Sequence, residues 1–271
     1  MKGSLVFAGA MSHAPGIAAF RHAASEEQAR PFFQACDYMR ERLAEAKPDA
    51  IVVVAPDHFS NFFIDTMPAC GVALNDSYTG PVEKWLGMES VTIPGAPDLA
   101  RAILEHAYRN DVEPALVEDV QLEHGVIIPL SLLTPGFDVP VVWVMQNCQV
   151  PPLMSLQRCY TLGKSIRQAI DASGLRVAVI GSGGLSHSPG APEAETLCPE
   201  FDRRFLHLLE QEDRGELLAL PNAVMDQAGF GSWEIRLWIT ALGAAHDRKP
   251  RTLAYEAIVP WDTGCGVAIY E

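Results

Sequence analysis

The sequence predicts an α/β fold: one layered domain spanning residues 1–271, with a central, mostly parallel sheet flanked by helices. Three observations carry this expectation. Apolar β-branched runs such as Ala50–Ala55 and Val139–Met145 lack polar alternation, as strands buried on both faces do. Segments with helical apolar spacing alternate with those runs. The 271 residues, 48% hydrophobic and 20% charged, supply one large core, and no repeat, low-complexity tract or linker divides them.

Ser4–Met11 is the first strand; the apolar stretch after Lys2 is too short for a convincing secretion signal. Good helix formers fill Glu26–Ala46, and Lys47-Pro48-Asp49 stops that helix. Ala50–Ala55 is the second strand. Phe59–Gly80 reads as irregular, with one strand near Cys70–Leu74. Asp98–Asn110 is a helix opened by an acid, and Gly125–Leu133 a short apolar one. Val139–Met145 is a buried strand, and Leu156–Ala172 a helix closed by Ser173-Gly174. Arg176–Ile180 returns to the sheet. Pro199–Glu212 and Ser232–Ala245 are helices, and Leu253–Val259 and Gly266–Tyr270 closing strands.

A formal charge of −14 repels phosphate backbones and anionic lipid, so nucleic-acid and membrane partners are not expected. No apolar stretch is long enough to span a bilayer. The six cysteines are scattered and form no CxxC, which suits reduced thiols in the cytoplasm better than a disulfide framework.

Three histidines each follow an apolar strand-like run, and ligands in open α/β sheets gather at strand carboxyl ends. His13 lies in Met11-Ser12-His13-Ala14-Pro15-Gly16, where Pro and Gly break the strand; taken alone, it is better explained as a turn-capping residue. His58 follows Pro56-Asp57. Asp57 would fix a metal-binding tautomer of an imidazole, its own neighbour's or another's, or simply form a polar loop. His187 ends Gly181-Ser182-Gly183-Gly184-Leu185-Ser186-His187. That segment lacks GxGxxG, P-loop and GxSxG spacing, so its destination is the histidine on a tight turn.

His124 follows Glu123, which would tune its charge, though a capping role serves equally. Glu234 stands near a helix start after Ser232, where the helix dipole favours a carboxylate; its apolar neighbours point to burial and hence to a cation. His22, His106, His207 and His246 sit in polar or helical segments and read as ordinary residues. Together the candidates supply two or three imidazoles and one carboxylate. Two histidines and one carboxylate with open positions form the facial arrangement of non-haem Fe(II) oxygenases. HExxH, the helix-borne zinc protease signature, is absent.

At this point the chain resembles the class III extradiol ring-cleavage dioxygenases. The family is typified by the catalytic β subunit of protocatechuate 4,5-dioxygenase and by 2,3-dihydroxyphenylpropionate 1,2-dioxygenase. The resemblance covers nearly the whole length. It rests on MSHAPG (11–16), APDHFSNFFIDTMPAC (55–70), EHGVIIPLSLL (123–133), QRCYTLGKSIRQAI (157–170), GSGGLSHSP (181–189) and SWEIRLWITALGA (232–244). It implies that His13, His58 and Glu234 ligate Fe(II), that His187 is the acid–base histidine, and that His124 faces substrate and oxygen. The family often has Gln where Ser188 stands here.

The resemblance further implies cleavage of a catechol-type ring by O₂ to a ring-opened semialdehyde acid, with protocatechuate- or gallate-like acids as the favoured analogy. Arg21, Lys84, Arg158 and Arg236 are the candidates to meet a substrate carboxylate. An aminophenol dioxygenase, a zinc-dependent hydrolase with the same ligands and a non-enzymatic metal-binding protein are the alternatives. A homo-oligomer is the default expectation, and some family members add a small helical lid subunit.

Overall fold

Strands and helices alternate along the computed structural model, which describes residues 2–190 and 197–271. In chain order they are β1 (Ser4–Met11), α1 (Glu26–Ala46), β2 (Ala50–Ala55), β3 (Cys70–Ala73), β4 (Ser77–Gly80), β5 (Val91–Pro94), α2 (Pro97–Arg109), β6 (Ala115–Val117), α3 (His124–Leu133), β7 (Val141–Gln146), α4 (Leu156–Ser173), β8 (Arg176–Ser182), α5 (Pro199–Glu210), the short α6 (Gly215–Leu218) and α7 (Asn222–Asp226), α8 (Ile235–Ala244), β9 (Pro250–Ile258) and β10 (Thr263–Tyr270).

Eight strands form one sheet in the order β6-β3-β7-β2-β8-β1-β10-β9. Its centre, β7-β2-β8-β1, is parallel. β3 runs antiparallel to β7, and β10 and β9 close the other side as antiparallel neighbours. The sheet is therefore mostly parallel and flanked by helices, as the sequence predicts.

Every residue of β2 and β7 is buried. Alternate side chains serve opposite layers, because successive residues of a strand point to opposite faces. Val52, Val54, Val142 and Val144 pack with Leu162, Ile166 and Leu237 on one face. Ile51, Val53 and Trp143 pack with Phe32, Met39 and Ile127 on the other. This double burial is why these runs carry no polar alternation. α4 and α8 lie so close that a Cβ at Gly163 would sit 2.0 Å from the Thr240 carbonyl oxygen. Ser25 and Ser155 start α1 and α4 by accepting the backbone N–H of Gln28 and Arg158.

The structure departs from expectation in the small elements. β4 and β5 pair as a separate two-stranded sheet. β6, α6 and α7 are three, four and five residues long, too short to leave a periodic signal. The expected helix from Ser232 begins instead at Ile235, after a 3₁₀ turn over Phe230–Glu234. The Ser232 hydroxyl donates to the Met225 carbonyl at 2.7 Å, tying α8 to α7 rather than capping it. No helix among the described residues is long and apolar enough to cross a membrane.

Candidate active site

β2, β8 and β1 are consecutive parallel strands, so their carboxyl ends share one sheet edge. His58, His187 and His13 follow those three ends. His124 opens α3, and Glu234 ends the 3₁₀ turn before α8. All five residues line one cavity of about 390 Å³. The His13 ring lies 5.3 Å from the His58 ring and 5.4 Å from the His124 ring, and His58 and His124 stack at 4.1 Å.

Each imidazole is held from behind through Nδ1. His13 Nδ1 lies 2.9 Å from Ser182 Oγ. That hydroxyl spends its proton on the Gly125 carbonyl. It must therefore accept from His13, which places the His13 proton on Nδ1 and leaves a lone pair on Nε2. His187 Nδ1 donates to the Leu185 carbonyl at 2.8 Å. His58 Nδ1 lies 2.7 Å from Glu123 Oε2, and His124 Nδ1 is 2.7 Å from Glu83 Oε1 and 2.9 Å from Glu123 Oε2. One buried carboxylate thus orients two rings.

Glu234 stands between the forward nitrogens. Its Oε1 is 3.2 Å from His58 Nε2 and 3.9 Å from His187 Nε2. Its Oε2 is 3.5 Å from His13 Nε2 and accepts the Gly184 N–H at 2.6 Å. Burial pulls His13 down to about 3, so it stays a neutral imidazole able to ligate. Burial opposes charge on His58 too, but the Glu123 carboxylate, with Glu234, outweighs it and raises His58 well above an ordinary histidine. His124 is raised in the same way by Glu123. Burial would lift Glu123, yet the flanking His124 and His58 hold it well below the usual carboxylate range. Glu234, also opposed by burial, is drawn down to about 2 chiefly by His13.

His187 is fixed by the glycine-rich turn and its surroundings. A Cβ at Gly231 would lie 2.4 Å from its ring, so α8's approach requires glycine there. Ser186, one residue earlier, donates its N–H and hydroxyl to buried Asp202 at 2.8 and 2.7 Å, and Tyr255 donates to the same carboxylate at 2.8 Å.

His13, His58 and His124 each offer a ring nitrogen within 4.8 Å of the others, enough for one metal ion. Glu83, Glu123 and His124 form a second such group, but its carboxylates are already hydrogen-bonded to imidazole nitrogens. Imidazole nitrogens with the Glu234 carboxylate make a mixed N/O donor set that fits a first-row metal such as ferrous iron. Nδ1 of each histidine is occupied behind the site, the arrangement that leaves Nε2 for the metal.

Several partners escaped sequence analysis. Glu83 lies in an irregular loop far from His124 in sequence and carries no local mark. Ser182 stands in the glycine-rich motif, but its bond to His13 spans distant segments. Asp57 orients no imidazole. It accepts the backbone N–H groups of Ser60, Asn61 and Phe62 and the Asn61 side-chain amide, shaping the loop that presents His58. The four basic candidates do not line the cavity. Arg21 stacks 3.8 Å from the Phe33 ring centroid. Arg158 donates to the Asp111 carbonyl and Arg236, fully buried, to the Met154 carbonyl. Lys84 is exposed. His22, His106, His207 and His246 also lie outside the cavity.

Comparison with known proteins identifies relatives over most of the chain. The family model described as the catalytic LigB subunit of aromatic ring-opening dioxygenase matches residues 8–264. A 2,3-dihydroxyphenylpropionate/2,3-dihydroxicinnamic acid 1,2-dioxygenase of Paraburkholderia xenovorans is 34% identical, over 82% of this chain and 84% of its own. Its namesake in Burkholderia vietnamiensis is 32% identical, over 84% and 86%. An uncharacterized Escherichia coli K12 protein of known structure shares the fold at a TM-score of 0.58 and 18% identity, over 86% of this chain and 91% of its own.

Proposed function

This chain belongs to the catalytic LigB family of aromatic ring-opening dioxygenases, the class III extradiol ring-cleavage enzymes, and from that premise we propose that His13, His58 and Glu234 hold Fe(II) while His187 and His124 act on a catechol-type substrate. The family match sets aside a non-enzymatic metal-binding protein. The observation that carries the proposal is the common direction of the rings: each Nδ1 is tied behind the site, and Glu234 sits among the forward Nε2 atoms.

Ferrous iron held there supplies the redox partner through which triplet dioxygen reacts with a singlet catechol. The chain's own groups do the rest. Glu123 and Ser182 keep His58 and His13 in the tautomer that presents Nε2. His187 exchanges protons only at Nε2, because its Nδ1 is committed to a carbonyl, and an imidazole so placed suits removing a hydroxyl proton and returning it later. His124 Nε2 steadies a substrate hydroxyl or oxygen atom. Phe20, Trp85 and Trp261 line the cavity with apolar surface against which the ring packs.

Anaerobic loading with Fe(II), followed by O₂ uptake over a panel of catechols and 2-aminophenols, tests this. Uptake with a ring-opened yellow product from catechols supports it, and uptake confined to aminophenols assigns the nitrogen-substituted reaction instead. No uptake with any of them overturns it. A second reading has one observation in its favour: His13, His58 and His124 alone suffice for a three-imidazole metal set, which suits zinc and hydrolysis. Metal content after anaerobic purification separates the two. The proposal includes a reducing, cytoplasmic setting, supported by six unpaired cysteines, and a homo-oligomer with or without a small lid subunit, which light scattering of the purified protein reads directly.

A further inference from the structure

The cavity wall away from the histidines bears on the substrate's side chain. It is built from Phe20, Trp85, Pro189, Pro260, Trp261 and Asp262. Among the described residues no lysine or arginine lines it, and the stretch Ala191–Thr196 contains none. Of the basic side chains beside the site segments, Arg21 stacks on Phe33 and Arg236 is held in the core, and Lys84, next to Trp85, is exposed and outside the lining. A buried carboxylate needs a cation or several donors to offset its lost hydration, and this wall offers neither.

Among the described residues, the one charged group on that wall is an acid. Asp262 occupies the left-handed region at φ 46°, with its N–H donating to the Val259 carbonyl. One of its carboxylate oxygens, Oδ1, is buried without a hydrogen-bond partner. Burial raises its carboxyl above the ordinary value, the mark of a charge short of donors. Aromatic faces beside a carboxylate attract ammonium groups and tolerate apolar ones. The protein's net charge of −14 adds a long-range field of the same sign.

We propose that this cavity selects catechols whose ring substituent is uncharged or cationic and disfavours those ending in a carboxylate, with Asp262 as the specificity-determining residue. The inference rests on the ring-cleavage reading of the site. It sets this chain apart from relatives whose names specify a propionate or cinnamic acid.

The test uses the Fe(II)-loaded full chain and matched catechols whose two-carbon side chains, at either ring position beside or opposite the diol, end in methyl, ammonium or carboxylate. Steady-state kcat/KM is measured in air, and dissociation constants come from anaerobic quenching of tryptophan fluorescence. The carboxylate compounds are expected about tenfold or more below their methyl counterparts in both measurements, equivalent to about 1.4 kcal/mol. Asp262→Asn and Asp262→Gly, both compatible with the left-handed backbone, should each narrow that gap at least threefold and weaken the ammonium compounds. A carboxylate catechol bound and turned over as well as its methyl counterpart overturns the proposal. So does a gap that neither variant changes, since Asp262 would then serve only its turn. If the binding order holds but no diol consumes O₂, the ring-cleavage reading fails and the selectivity stands.

Discussion

Ser182 orients His13 through one hydroxyl, with Oγ 2.9 Å from the imidazole Nδ1. Both side chains are buried, so no solvent replaces the contact when it is lost. Ser182→Ala strands the ring N–H and the Gly125 carbonyl that shares the hydroxyl. The expected cost is about 1–3 kcal/mol of stability in urea unfolding and about 10–100-fold in Fe(II) affinity, read by chelator competition. An unchanged affinity would show that the tautomer of His13 does not matter to the metal.

His187 and Glu234 should separate cleanly under substitution. His187→Ala is expected to slow turnover by about 100- to 10,000-fold while the protein keeps its full complement of iron. Glu234→Ala should lose the iron itself, because it removes the carboxylate that, among the described residues, stands between the forward nitrogens. Iron analysis beside the rate measurement tells these apart. Iron lost from the His187 variant would make that residue a ligand.

The metal-free protein should be most stable in a mildly acidic window. Glu123 has a depressed carboxyl, so its contribution is complete above the unfolded value of about 4.3 and is lost as pH falls through the lower folded value. His58 and His124 are raised, so theirs is complete below about 6.5 and is lost as pH rises through the folded values. His13, held neutral in the fold, costs stability as pH falls below about 6.5, so urea midpoints of the apo protein should peak near about pH 6.5. Iron binding, which needs neutral imidazoles, should release protons and tighten as pH rises. An apo protein whose stability climbs steadily beyond pH 7 would contradict the assigned cluster.

Asp202 supports the His187 turn from beneath. Asp202→Ala leaves the Ser186 N–H, the Ser186 hydroxyl and the Tyr255 hydroxyl without their acceptor. A loss of about 3 kcal/mol in urea unfolding is expected. Tyr255→Phe removes a single donor and should cost about 1 kcal/mol. Equal losses would mean that the carboxylate is not the hub of this network.

The architecture was legible because its central strands are buried on both faces and write that burial as unbroken β-branched runs, as at Ile51–Val54. His13, His58 and His187 were legible as candidates for the same reason: each follows such a run and meets a turn. Their supporting partners were not. Ser182, Glu83 and Glu123 act across distances that only the folded sheet closes, and a serine, or a glutamate in a loop, looks the same whether or not an imidazole faces it. The start of α8 was misplaced because Ser232 looks like a cap, although its hydroxyl reaches back to Met225. β6 is only three residues long and pairs only with β3, so it has no periodicity to detect.

The rear attachments of the four imidazoles reach Ser182 of β8, the Leu185 carbonyl of the glycine-rich turn, Glu123 at the start of α3 and Glu83 between β4 and β5. His58 and His124 share Glu123, while His13 and His187 are each held by a separate group. If the proposed ligands hold a metal, displacement of any one of these supports would misalign a donor. Under the proposed ligand set a damaged copy would then shed its metal, so retained metal would report an intact site.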